Sequence, residues 1–222
     1  MNAEVVAALA SATGTVLAWS FVGPLARMLC ARVAMRSPGA PLPQALPPPP
    51  LRRGAEAFCV GAAIACAIGG SQPIFCGLAW ALCALAMAVA VECDVSSNVI
   101  PREPCYSIAL LGGAVQVVVG GPLALAAGAA FAVALCAACA GLGVLLARER
   151  ASPTVGGGDV RCMFALALAS GWEAPWGFFV CYAAAAAWSI LRRVRKGCDW
   201  ESTLPMAPFL SLWLATAVLL QS

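Results

Sequence analysis

The sequence predicts an all-α polytopic membrane protein of about eight transmembrane helices, with both termini on the outer side. Of its 222 residues, 62% are hydrophobic and only 10% are charged, more apolar surface than a soluble domain needs. The apolar residues come in long runs rather than in alternation, which favours helices over a membrane β-barrel. We expect one membrane-embedded domain over residues 1–222.

The apolar runs give the expected spans in chain order. They cover residues 5–26, 55–69, 74–91, 106–119, 123–147, 160–171, 177–191 and 204–220. Glycine- and proline-containing turns separate the second from the third and the fourth from the fifth. The sixth run is short, so we expect it to tilt, thin the bilayer or pack within the bundle. Trp172 and Trp176 suit an interfacial turn after it.

The first and second runs are joined by a loop, residues 27–54, that is rich in proline and arginine. Its proline run, 47–50, favours an extended polyproline conformation and cannot form a helix. We interpret the loop as a cytoplasmic linker, with a partner-docking role as the less favoured alternative.

The distribution of basic residues tests this map. All 13 Lys and Arg residues fall in the four loops assigned to the inner side or, for Arg161, at the inner end of the sixth run, and the outer turns hold none. A wrong number of spans would scatter them over both sides, so the pattern supports eight spans. It also predicts that Asp94, after the third run, and Asp159, before the sixth, lie on the cytoplasmic side at similar depth.

These two acids are the candidate catalytic residues. Histidine is absent, which removes the commonest general base and metal ligand. Two carboxyl groups near a low-dielectric region favour sharing one proton, so that one activates water while the other polarises a peptide carbonyl. That chemistry is aspartic-peptidase chemistry and needs no metal. The alternative is that they are unrelated loop or helix-capping acids.

Three segments together resemble the type IV prepilin peptidase family. Asp94-Val-Ser-Ser-Asn-Val-Ile-Pro101 resembles its Asp-x(6)-Pro segment, and Gly156-Gly157-Gly158-Asp159 resembles its Gly-x-Gly-Asp motif. Leu204-Pro205-Met-Ala-Pro208-Phe209 resembles the proline-containing segment that begins the last helix of the family. The three segments occur in the family's order and span about half of the chain.

The resemblance implies an endopeptidase of a prokaryotic cytoplasmic (inner) membrane. Its substrate would be a type IV prepilin or a pseudopilin of type II secretion, cut at the cytoplasmic face to remove a basic leader, with Asp94 and Asp159 as the catalytic dyad. Longer family members carry two Cys-x-x-Cys pairs after the first span, whereas loop 27–54 has one cysteine, Cys30. The chain therefore resembles the short members, and N-methyltransferase activity is not expected. We expect no cofactor, no metal and no nucleic-acid partner.

Two other classes of function remain open. Presenilin-type proteases also use Gly-x-Gly-Asp, but their first acid follows a tyrosine, where this chain has Cys93, and their last motif reads Pro-Ala-Leu. A proton-coupled transporter would also use paired acids, but such proteins often show inverted repeats and acids at mid-membrane. We see no such repeat, and both acids lie at span ends.

The chain's 12 cysteines are mostly expected to be packing residues, since a free cysteine behaves as a small apolar side chain. Cys30, Cys93 and Cys198 are assigned to the cytoplasmic side, where disulfides are not expected.

Overall fold

Seven α-helices contain most of the residues that the structure, a computed structural model, describes: 12–14, 16, 18–36, 73–147, 156–196 and 204–221. They are α1 (Gly23–Arg36), α2 (Ile74–Ser97), α3 (Arg102–Val119), α4 (Gly121–Ala147), α5 (Gly157–Ser170), α6 (Ala174–Lys196) and α7 (Ala207–Gln221). A π-helical turn, Ala18–Val22, precedes α1, and a 3-10 turn, Gly171–Glu173, joins α5 to α6.

Three stretches of the described residues are long and apolar enough to cross a membrane. They are Phe75–Ser97, Gly121–Val144 and Gly157–Arg195, and α7 is a shorter apolar helix. The all-helical class is thus confirmed for the described residues, together with helices of membrane-spanning length. The expected second span, 55–69, lies outside the described residues, as do residues 5–11, 15 and 17 of the first and loop 27–54 from residue 37 onward.

Several helix boundaries differ from the expected runs, and two of these differences bear on the site. Helix α1 continues to Arg36, so the first ten residues of the expected linker 27–54 are helical. Helix α2 continues to Ser97, six residues past its apolar run, and the Ser97 hydroxyl donates to the carbonyl oxygen of Cys93 in its last turn at 2.7 Å. Asn98 then ends α2 in the left-handed conformation, with φ 51°. Asp94 consequently lies in the last turn of a helix and not in a loop.

The turn between α5 and α6 depends on Gly171, which has φ 58°. A side chain there would be strained, and its Cβ would also overlap the carboxamide of Gln116. The Gln116 side chain in turn donates to the carbonyl oxygen of Ala169 at 2.6 Å. These contacts hold the end of α3 beside the end of α5.

The helix directions place the two candidate acids at one end of the bundle. Helices α3 and α5 run in the same direction, since Ile100 lies against Gly158 and Gly112 against Ala169. Helix α7 runs parallel to them: it begins beside Asp94, and near its end Gln221 donates to the carbonyl oxygen of Ser170 at 3.2 Å. Asp94 and the start of α5 therefore share one end, which we call the acid end.

Two apolar clusters hold the described helices together. The main core includes the buried side chains of Trp80, Ile108, Met163, Leu166, Leu210 and Trp213. Four rings belong to it as edge-on or tilted pairs 4.4–6.2 Å apart: Phe131, Phe178, Tyr182 and Trp213. The second cluster, which we call the first-helix interface, joins Val22, Ala26, Leu29 and Cys30 to the α2 residues Ala81, Val89 and Cys93.

Candidate active site

Asp94 is held by the N-terminus of α7. Its side chain is 5% exposed, and its Oδ2 accepts a hydrogen bond of 2.8 Å from the backbone N–H of Ala207, the first residue of that helix. The backbone N–H of Met206 is a second donor to the same carboxyl group. The first N–H groups of a helix have no partner within it and carry partial positive charge, so they bind a carboxylate well. The site thus fixes Asp94 with main-chain donors.

The two prolines of the last motif explain why α7 begins at this point. The Met206 carbonyl oxygen accepts the backbone N–H groups of Phe209 and Leu210, each at 3.0 Å, so Met206 caps the helix. Pro208 stands at the second helical position, where its missing N–H costs no intrahelical hydrogen bond. With Pro205 before the cap, the motif leaves the N–H groups of Met206 and Ala207 directed at Asp94. The two prolines thus contribute to the site through the backbone, by setting where α7 begins.

Asp159 lies in the first turn of α5 and is half-buried. Gly156 is the cap residue, and Asp159, three positions later, accepts a hydrogen bond from the Gly156 backbone N–H. This is the reciprocal half of a capping box. Asp159 is therefore not the cap residue itself, although it does contact the helix start. An acid with a purely structural role could make the same hydrogen bond to Gly156. The case for a catalytic Asp159 therefore depends on what surrounds it.

The three glycines before Asp159 have unequal surroundings. A Cβ on Gly156 would lie 3.0 Å from Asp159 Oδ2, and one on Gly158 would lie 3.2 Å from the Cβ of Ile100. A Cβ on Gly157 would meet the far end of the Arg161 side chain at an ordinary 3.7 Å. Space is thus restricted at the first and third glycine and available at the second. This is the steric pattern that Gly-x-Gly-Asp describes.

The close approach at Gly158 joins the two acid-bearing segments. The backbone O and N of Ile100 would lie 3.3 and 3.4 Å from a Cβ on Gly158. Ile100 belongs to the short link after Asp94, and the buried Pro101 that follows it caps α3. The carboxyl groups of Asp94 and Asp159 are near enough to interact electrostatically. All eight residues singled out in the sequence therefore belong to segments that meet at the acid end.

Sequence reasoning missed the main-chain partners of the site. It named Pro205 and Pro208 but not the N–H groups of Met206 and Ala207 between them, and it named Pro101 but not Ile100. The signal was available in part, because proline is tolerated in the first turn of a helix, where the N–H groups have no partner within the helix. Within the described residues, no group of three or more His, Cys, Asp or Glu side chains is arranged to hold a metal ion.

Comparisons with profiles of known protein families, with curated proteins and with solved structures give no match.

Proposed function

We propose that this protein is a membrane aspartic endopeptidase that removes the basic leader of a type IV prepilin or pseudopilin, with Asp94 and Asp159 as its catalytic dyad. One observation carries the proposal: three segments far apart in the sequence meet at the acid end. The Asp94 carboxylate binds the start of the proline-containing segment, and the link after Asp94 packs on the glycine before Asp159. Unrelated capping acids have no reason to share these contacts.

The proposed chemistry divides one hydrolysis between two carboxyl groups. The ionised carboxyl group takes a proton from water as the water oxygen attacks the scissile carbonyl carbon. The protonated group donates its proton to the carbonyl oxygen, and a tetrahedral diol results. Collapse of the diol breaks the C–N bond, and the amine leaves with a proton returned by the dyad. Asp94 is held rigidly, whereas the half-buried Asp159 is the member within reach of solvent and substrate.

The cytoplasmic position of the site is supported by the basic residues of the described helices. Arg102 begins α3, Arg161 lies in the first turns of α5, and residues 192–196 end α6, all at the acid end. Trp172 and Trp176 lie exposed at the opposite end. Because positive charge favours the inner side and tryptophan the interface, this pattern supports a cytoplasmic acid end. The prokaryotic inner membrane belongs to the proposal through the prepilin substrate alone.

The direction of α1 supports the proposed eight-span topology with outer termini. The Cys93 thiol lies 3.5 Å from the carbonyl oxygen of Ala26, and the Cys30 thiol lies 3.4 Å from the Ser97 hydroxyl, both pairs 67 positions apart. From the first pair to the second, the contact moves four residues toward the C-terminus on both helices, so α1 and α2 run in the same direction. Parallel directions are what the topology requires of a first and a third span.

The proposed substrate is a membrane-inserted helix with a basic leader in the cytoplasm. The test is to incubate the purified protein in lipid bilayers with a candidate prepilin and to determine the new N-terminus of the product by sequencing. Cleavage between the basic leader and the apolar segment is expected. If none of several full-length prepilins and pseudopilins is cleaved, the proposal is contradicted.

A further inference from the structure

A pair of cysteine thiols lies beside the site but has no role in the proposed hydrolysis. Cys30 on α1 and Cys93 on α2 are both buried, and their side chains are hydrogen-bond partners. Cys93 immediately precedes Asp94, and Cys30 also contacts the hydroxyl of Ser97 at 3.4 Å. Both cysteines are free. We refer to them as the Cys30–Cys93 thiol pair.

The thiol pair lies at the polar end of the first-helix interface. The rest of this interface consists of small and apolar side chains of α1 and α2. Arg27 and Arg32, on either side of Cys30 in α1, are exposed. A bond between the two sulfurs would therefore join α1 covalently to the turn of α2 that carries Asp94, close to the aqueous end of the bundle.

The surroundings of Cys30 favour its thiolate. The Cys93 thiol and the Ser97 and Ser96 hydroxyls, whose protons can turn from their carbonyl partners toward a Cys30 thiolate, lower the pKa of Cys30 to about 6, against the opposing effects of burial and the Glu92 charge. The thiolate is the nucleophilic form of cysteine, and thiols that sense oxidants combine a low pKa and access to solvent with a neighbouring cysteine. Cys30 is 4% exposed, beside the exposed Arg27 and Arg32. Cys30 thus has the character of the attacking thiol and Cys93 that of the resolving thiol.

We propose that the Cys30–Cys93 thiol pair is an oxidation site, at which a hydroperoxide converts the two thiols into an intramolecular disulfide between α1 and α2. This inference is independent of the proposed peptidase activity. It predicts a covalent product that can be detected whether or not a prepilin is cleaved.

The chemistry balances with one peroxide for each disulfide. The Cys30 thiolate attacks a peroxide oxygen, the S–O bond forms as the O–O bond breaks, and the leaving hydroxide takes up a proton as water. The Cys93 sulfur then attacks the Cys30 sulfur of the sulfenic acid. The S–S bond forms, the S–O bond breaks, and the departing hydroxide leaves as water with the proton from Cys93. Two thiols are oxidised and one hydrogen peroxide is reduced to two waters.

The test is peptide mapping of the full chain in lipid bilayers, treated with hydrogen peroxide and digested without reductant. Cleavage after Arg and Glu residues isolates Cys30 in residues 28–32 and Cys93 in residues 93–102. We expect peroxide to convert both free peptides into one linked species, which a thiol reductant reverses. Absence of the linked species while the Cys30 peptide stays reduced would overturn the proposal. Linkage of Cys30 to any other cysteine would overturn it as well.

Two controls make the result specific. Cys93→Ser keeps a hydroxyl donor beside Cys30 but removes the resolving sulfur, so a dimedone-trapped sulfenic acid should accumulate at Cys30. Failure to trap it would contradict the assigned roles. The buried Cys181 is isolated in residues 174–192 of the same digest and should stay reduced. Its equal oxidation would show that the thiol pair is not selective and would also contradict the proposal.

Discussion

The steric difference among the three glycines before Asp159 leads to a graded prediction. A Cβ on Gly158 would lie 3.2 Å from the Cβ of Ile100 and 3.3 Å from its carbonyl oxygen, whereas ordinary contact starts at 3.4 Å. The backbone of one segment must therefore shift by a few tenths of an ångström. Gly158→Ala thus moves Asp159 relative to the segment that carries Asp94.

The expected loss follows from the sensitivity of catalysis to geometry. Misplacement of reacting groups by ~1 Å can cost ~100-fold in rate, so a shift of a few tenths predicts roughly three- to ten-fold slower cleavage. Gly156→Ala should lose at least as much, because its Cβ would lie 3.0 Å from Asp159 Oδ2 and displace the carboxylate itself. Gly157→Ala should keep nearly native activity, since the flexible end of Arg161 can move away.

The assay is the initial rate of prepilin cleavage by the three single variants at equal amounts in bilayers. Alanine favours a helix over glycine by up to ~1 kcal/mol, so a weakened α5 cannot explain a loss at Gly158. Gly141→Ala in α4, where a Cβ would meet nothing within 4 Å, is a further control and should be native. Equal losses at Gly157 and Gly158, or native activity of Gly158→Ala, would refute the steric account.

The remaining predictions concern metal, substrate and pH. Cleavage should survive a chelator, because the proposed dyad uses no metal; loss on chelation and recovery with zinc would contradict the aspartic mechanism. A soluble peptide that carries the leader and cleavage site without the apolar segment should be cut much more slowly than full prepilin, and equal rates would refute membrane docking. The first step of the peroxide reaction needs the Cys30 thiolate, so the rate at which peroxide consumes the free Cys30 thiol should fall as the pH drops through about 6. A rate that still rises steeply near about pH 8.5, the range of an unperturbed thiol, would contradict the lowered pKa of Cys30.

The class of fold could be predicted from sequence because hydropathy reports on membrane burial directly. The ends of the helices were harder to predict from the sequence, since they depend on local hydrogen bonds. Ser96 and Ser97 are polar and suggested a loop, but both lie in the last turn of α2, where their hydroxyls find partners in carbonyl oxygens of the preceding turn. Asp94 consequently faces the start of α7 from a rigid helix.

The site was predictable as a set of residues but not as a set of contacts. Asp94, Asp159 and the glycines could be identified because ionisable groups and glycine runs are unusual beside apolar stretches. The donors to Asp94 are backbone N–H groups of Met206 and Ala207, which side-chain chemistry does not reveal. The proximity of Ile100 to Gly158 results from the packing of α3 on α5, and spacing along the chain contains no signal for it.

The central claim is that Asp94 and Asp159 work as one catalytic unit. Asn at position 94 keeps a side-chain oxygen for the Ala207 N–H, and Asn at position 159 keeps one for Gly156, so both variants should fold and accumulate. Each loses the titrating proton, and residues that act as a unit lose nearly as much singly as together.

The most direct measurement is prepilin cleavage by Asp94→Asn, Asp159→Asn and the double variant at equal expression. Glu173→Gln, at the opposite end of the bundle, is the control for loss of a carboxylate. We predict no detectable cleavage by the three Asp variants and native cleavage by Glu173→Gln. Substantial cleavage by either single Asp variant would contradict the dyad, and Asp159 would then be an acid that only supports the start of α5.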